Sequence, residues 1–223
     1  MTNDLKTVLA AIGRFLAYSL LAALPVMLLR HDLGTLGNTL GEASLVEVTQ
    51  AVFLLASALA FATLAWRRRD DRPFAVLAAA LFACMLVREQ DALFDGLLFH
   101  GAWKYLAAPL ALGALAWAGR DVRGTLSGLA RFVSSRAGTV MVLALVMVLC
   151  YSRLFGMTGI WAGVLGEGYV RTVKNAVEET SELLGYTFML VASIRYLSQR
   201  VRSLAGERRQ AGRAGSMAAG RLL

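Results

Sequence analysis

The chain has 223 residues and a net charge of +8, and is 57% hydrophobic against 17% charged, with a mean hydropathy of +0.59. So much apolar surface excludes an ordinary soluble domain of this size, which could not bury it. Lipid is a solvent for that surface, so the expected fold class is all-α: a polytopic transmembrane bundle of about six helices.

The first apolar run covers Val8 to Leu29, with Pro25 near its far end. Arg14 interrupts it and no small-x-small cleavage site follows, so it reads as a membrane helix and not as a signal peptide. The second run, Leu45 to Trp66, stops at Arg67-Arg68-Arg69. The third starts at Pro73, a residue favoured in a first helical turn, and extends to about Leu93. The fourth spans Ala102 to Ala118, and the fifth Thr139 to Phe155. Between them, Leu126, Leu129, Phe132 and Val133 recur at near-helical spacing among arginines, as in a short helix lying on a membrane surface. Gly156 to Gly168, with Trp161 and the adjoining Tyr169, predicts an interfacial or re-entrant turn. The last run, Val173 to Leu197, carries Glu178, Glu179 and Glu182 in its first half. Residues 1–198 thus form the expected bundle, and 199–223 the expected basic, disordered cytoplasmic tail.

Basic residues alternate with the loops. Arg67, Arg68, Arg69 and Arg72 follow the second run; Arg120, Arg123, Arg131 and Arg136 follow the fourth; Arg200, Arg202, Arg208, Arg209, Arg213 and Arg221 follow the last. The positive-inside rule then puts both termini in the cytoplasm, with a bacterial cytoplasmic (inner) membrane as the expected location. The expected partners are membrane lipids, with anionic headgroups at the cytoplasmic face, and not nucleic acid. A membrane-protein partner or a homo-oligomer is compatible with the same surface. Cys84 and Cys150 lie inside apolar runs and read as packing residues.

On this topology the ionisable residues collect at one depth, away from the cytoplasm. Charge there is costly unless it is paired, hydrated or bound to an ion. Arg88, Asp91 and Asp95 fall on one face of a continuous third helix, and Glu178, Glu182 and Tyr186 repeat every four residues on the last. Glu47 and Gln50 are three apart at the start of the second. Carboxylates are hard-metal ligands, so Glu47, Asp91, Asp95, Glu178 and Glu182 are the candidate ligands of a divalent cation, the expected cofactor. His100, Glu89 and Glu179 are the candidate acid–base groups. Arg88, Lys104, Arg171 and Lys174 could hold an anionic substrate group, with Gln50 and Tyr186 as further polar contacts. No Gly-x-Ser-x-Gly elbow or phosphate-binding P-loop is present.

The expected function is therefore a cation-dependent membrane enzyme or binding site, open to the outer face, for a lipid-linked or periplasmic substrate. The alternatives are a proton- or cation-coupled transporter, and a non-catalytic membrane subunit whose charges form a structural salt-bridge network.

Overall fold

The structure, a computed structural model, describes residues 3–36 and 44–219. The described elements are all helical. Three stretches are long and apolar enough to cross a membrane: Asn3–Thr35, Leu45–Arg67 and Arg136–Phe155.

Helix α1 (Asn3–Leu36) contains Pro25 and ends close to the start of α2 (Leu45–Arg67). Two side chains fix that start. Ser44 Oγ accepts from the Glu47 amide at 3.2 Å. Asp32, 1% exposed, accepts from the amides of Leu45 and Val46, both at 3.0 Å. The first amides of a helix lack intrahelical partners and carry the positive end of the dipole, so an aspartate is favoured there. Asp32 thereby ties α1 to α2.

A single 3₁₀ turn, Arg69–Asp71, leads to α3 (Arg72–Glu89), with Pro73 in its first turn. The third helix does not continue to Leu93 as its apolar run predicts. Gln90 takes φ −95° and ψ 24°, and a separate short helix, α4 (Asp91–Leu97), follows. Asp91 and Asp95 therefore leave the α3 face that carries Arg88, and the shared stripe expected of these three residues does not form.

Helix α5 (Trp103–Gly119) precedes α6 (Val122–Val133), the amphipathic helix that the spacing predicts. Asp121 caps α6 by accepting from the Gly124 amide at 2.8 Å. Helix α7 (Arg136–Val146) passes into a π turn, Met147–Tyr151, and then into α8 (Ser152–Phe155). The wider turn re-aims the residues after it relative to a regular helix. The Gly-rich connection is filled by α9 (Thr158–Leu165) and a 3₁₀ turn, Gly166–Gly168. Trp161 closes it by donating from Nε1 to the Phe155 carbonyl at 2.8 Å.

The final helix, α10 (Arg171–Ala219), runs unbroken for 49 residues, past the boundary at 198 where a disordered tail is expected. It packs against α1, α2 and α7; α2 also packs on α3, and α3 on α5 and α6. Contact with α7 is close at Gly185, where a Cβ would stand 3.2 Å from the Ala144 carbonyl and collide with Val148. Aromatic rings fill the core where α2, α3, α6 and α10 meet. Phe132 and Tyr196 lie 4.8 Å apart, Phe74 and Phe132 5.3 Å, and Phe61 and Phe82 5.8 Å. Large apolar side chains also face outward, among them Phe15, Leu20, Leu112 and Leu143.

One end of the bundle is basic, and a single carboxylate organises it. Asp71 is 0% exposed. Its Oδ1 accepts from Arg131 Nη2 at 2.9 Å and its Oδ2 from Arg200 Nε at 2.7 Å, with Arg68 Nε at 3.6 Å. Arg68 Nη1 also donates to Ser203 Oγ at 3.2 Å. The turn after α2, the helix α6 and the stretch of α10 at 200–203 are thus clasped together. Arg200 and Ser203, beyond residue 198, are thereby held to the bundle. Burial pushes the Asp71 carboxyl up, but hydrogen bonds and charge from Arg200 and Arg131 outweigh it and hold the group below the usual carboxylate range.

Candidate functional site

The opposite end of the bundle is acidic. Glu89 closes α3, and Glu179 and Glu182 lie about one turn apart on α10. Among the described residues these three form the one group of potential metal-ligating side chains whose ligand atoms all lie within 4.8 Å of one another. Glu182 is 3% exposed.

Each acid is held through one of its oxygens. Tyr186 Oη donates to Glu89 Oε2 at 3.1 Å. Gln50 Nε2 donates to Glu179 Oε2 at 3.0 Å and to the Glu179 carbonyl at 3.1 Å. Arg153 Nη2 lies 2.7 Å from Glu182 Oε1, which Ser152 Oγ approaches at 3.4 Å. The second oxygen of each carboxylate has no hydrogen-bond donor among the described residues.

Two cations brace the rim. Arg153 Nη1 reaches Glu178 Oε1 at 2.8 Å, and Lys174 Nζ reaches Glu178 Oε2 at 2.5 Å. Arg88, beside Glu89 in the chain, adds a further cation at this end of the bundle. The π turn matters here, because Ser152 and Arg153 are the first residues after it and both address Glu182.

The structure regroups the residues expected from the sequence. Glu89, Glu179, Glu182, Gln50 and Tyr186 come together, with Glu178, Lys174 and Arg88 beside them. Glu47 shares with Glu89 the lining of a cavity of about 310 Å³ between α2 and the α3–α4 junction. The expected shell of Asp91, Asp95, Glu178 and Glu182 does not assemble; of these only Glu182 belongs to the cluster. Asp91 is exposed. Asp95 and His100 pair with each other instead, Oδ2 to Nδ1 at 2.6 Å, and Asp95 Oδ1 accepts from the Gly101 amide at 2.7 Å. Gly101 has φ +82°, a conformation that favours glycine and lets this loop fold back on Asp95. The Gly101 amide, with His100, keeps the Asp95 carboxyl below its ordinary range despite partial desolvation. His100 is itself 99% exposed. Lys104 is exposed over the Trp103 ring at 5.8 Å, and Arg171 is exposed at the start of α10. Neither cysteine joins the site; Cys84 Sγ donates to the Ala107 carbonyl at 3.5 Å.

Residue spacing does not single out Arg153, Ser152 or Asp32. Arg153 carries a different signal: it is the one cation in the run Thr139 to Phe155.

The geometry suits a hard cation. Two oxygens on opposite sides of an ion stand at twice the metal–oxygen distance, about 4.0–4.2 Å for Mg²⁺ and about 4.6–5.2 Å for Ca²⁺. The 4.8 Å spread of the three carboxylates matches the larger ion and needs a small contraction for the smaller. No protein family, no curated protein and no solved structure matches this chain.

Proposed function

We propose that the chain is a six-span protein of a bacterial inner membrane, with both termini in the cytoplasm, whose outer half holds a divalent-cation site built on Glu89, Glu179 and Glu182 and serving a lipid-linked or periplasmic substrate. The observation that carries this reading is the convergence of three carboxylates from α3 and α10 to within 4.8 Å. Such a group is self-repelling in apolar surroundings unless a proton, a cationic side chain or a metal offsets the charge. Arg153 pairs with only Glu182 of the three and the neighbouring Arg88 pairs with none, leaving a charge for which a divalent cation is well suited.

The spans of this reading are α1, α2, α3, α5, the α7–α8 run and α10. Helix directions support it. Gln50, Glu89, Arg153 and Glu182 meet at one end of α2, α3, α8 and α10, while Arg68, Asp71, Arg131 and Arg200 meet at the other. The basic turn after α2, α6 and the end of the last span thus share one side, as the positive-inside rule requires. The cavity beside Glu47 and Glu89 shares Ala51, Val52 and Gln90 with an apolar groove that continues along Leu55, Leu86 and Phe94. That groove supports a substrate with a lipid tail.

Thermal unfolding of purified protein tests the site. Mn²⁺, Mg²⁺ or Ca²⁺ is expected to stabilise the wild type saturably, by about 2.7 kcal/mol at a hundredfold excess over Kd. Glu89→Gln and Glu182→Gln should each remove that gain, and a wild type indifferent to all three ions and to chelator refutes the site. The ion pairs of Arg153 and Lys174 favour a second reading, in which the acids only fix helix packing. Its signature is amide variants that lose stability equally with and without chelator.

Topology is tested separately, in a chain with Cys84 and Cys150 replaced. A cysteine placed at Thr35 is expected to react with an impermeant reagent from outside, and one at Arg123 only after the membrane is opened. The reverse pattern overturns the orientation without touching the site.

A further inference from the structure

Gln50 forms the third wall of the acidic cluster, from α2, and is 0% exposed. Its amide can face only one way. Nε2 donates to two oxygens of Glu179, the side-chain Oε2 at 3.0 Å and the carbonyl at 3.1 Å. A flipped amide would aim its own oxygen at two acceptors. The Gln50 carbonyl oxygen is bonded to the same carbon as Nε2 and so lies within one amide group of the Glu179 carboxylate. It is enclosed and has no hydrogen-bond partner. A buried acceptor left unmade is costly and calls for a partner. Glu179, the group Gln50 contacts, offers it no donor, and the cluster's own hydroxyl, Tyr186, already donates to Glu89.

We infer that Gln50 Oε1 is a fourth ligand of the site, and that the site takes a hard, oxygen-preferring divalent cation of the Mg²⁺, Mn²⁺ or Ca²⁺ class. This inference rests on the cation reading above and deepens it. With Gln50, each of the three helices α2, α3 and α10 contributes oxygen. Three carboxylates and an amide carbonyl make an all-oxygen donor set, which suits hard ions; zinc sites draw on thiolate and imidazole. The thiol and imidazole groups stand elsewhere: His100 is engaged with Asp95, His31 and Cys150 are exposed, and Cys84 faces Ala107. Gln50 also performs a second task, since its Nε2 bonds fix the rotamer of Glu179 while Oε1 faces the ion.

The test is a titration of the full chain in detergent with Mg²⁺, Mn²⁺, Ca²⁺ and Zn²⁺, read as thermal shift, for wild type, Gln50→Leu and Gln50→Glu. Wild type is expected to respond to at least one hard ion more strongly than to Zn²⁺. Gln50→Leu should raise the Kd for that ion by at least about tenfold. Gln50→Glu restores an oxygen while losing the donor to Glu179, and should bring the Kd back to within a few-fold of wild type. Equal loss in both variants assigns Gln50 to positioning Glu179 and overturns its role as a ligand, while the cation site stands. An unchanged Kd in Gln50→Leu does the same. If Gln50→Leu fails to fold, a Gln50→Glu chain with undiminished affinity supports the inference and one without affinity overturns it. A stronger response to Zn²⁺ overturns the proposed class. A wild type that answers to none of the four ions removes the underlying cation reading, a result distinct from all the others.

Discussion

Replacing Asp71 by alanine is expected to lower the unfolding free energy by about 3–5 kcal/mol, the loss typical of breaking a buried ion pair from one side. The reason is what the substitution leaves behind. Arg68 and Arg200 are 7% and 18% exposed, and both turn inward toward a carboxylate that would no longer exist. Arg131, at 37%, can regain water and softens the loss. Equilibrium unfolding in detergent measures the effect, and a loss below about 1 kcal/mol, the range of surface pairs, would show that the arginines escape to solvent. The wild type carries a matching pH dependence. Because the folded-state pKa of Asp71 is lowered, its contribution is complete above the unfolded carboxylate value of about 3.9 and drains away as pH falls through the folded value. Stability of the alanine variant should be flatter over that acid interval. A chain ended after Gln199 lacks the Arg200 bond and should lose part of the same stability, unlike a chain ended after Leu204.

Arg153→Met should cost about 3 kcal/mol at the other end of the bundle, by the same physics. Glu182 is 4% exposed at its side chain and would lose its ion-pair partner, whereas Glu178 keeps Lys174. Methionine preserves much of the side-chain volume, so the loss reports charge and not a cavity. Adding Glu182→Gln in the same chain removes the orphaned carboxylate and should recover much of the stability. A double-mutant cycle gives the coupling directly, and simple additivity of the two losses would show that the pair does not act as one unit.

The sequence makes some of this organisation legible and hides the rest for identifiable reasons. Helix α2 is described as Leu45–Arg67 against an expected run of Leu45 to Trp66, because an apolar run ended by three arginines is a strong local signal. Helix α6 is equally plain from the period of Leu126, Leu129, Phe132 and Val133. The break at Gln90 carries no such mark, with neither proline nor glycine beside it. A helix presumed continuous therefore put Asp91 and Asp95 on the wrong face. The π turn is hidden too, since Met147 to Tyr151 is as apolar as the helix around it. For the cluster itself, spacing singles out Glu89, Glu179, Glu182, Gln50 and Tyr186 as polar groups at one depth. Which of them meet depends on the rotation of α3 and α2 about α10, and that is set by packing such as Gly185 against Val148. Arg153, alone at the end of an apolar run, is easily mistaken for an interfacial anchor.

Helix α10 has a mechanical consequence. It bears Glu182 on one clasp and Arg200 on the other, along one uninterrupted helix. Roughly 27 Å of rigid rod separates the two residues at the ordinary helical rise. Both clasps are therefore anchored on one continuous element, and the rotational setting of α10 about its axis must satisfy Arg153 at one end and Asp71 at the other at once.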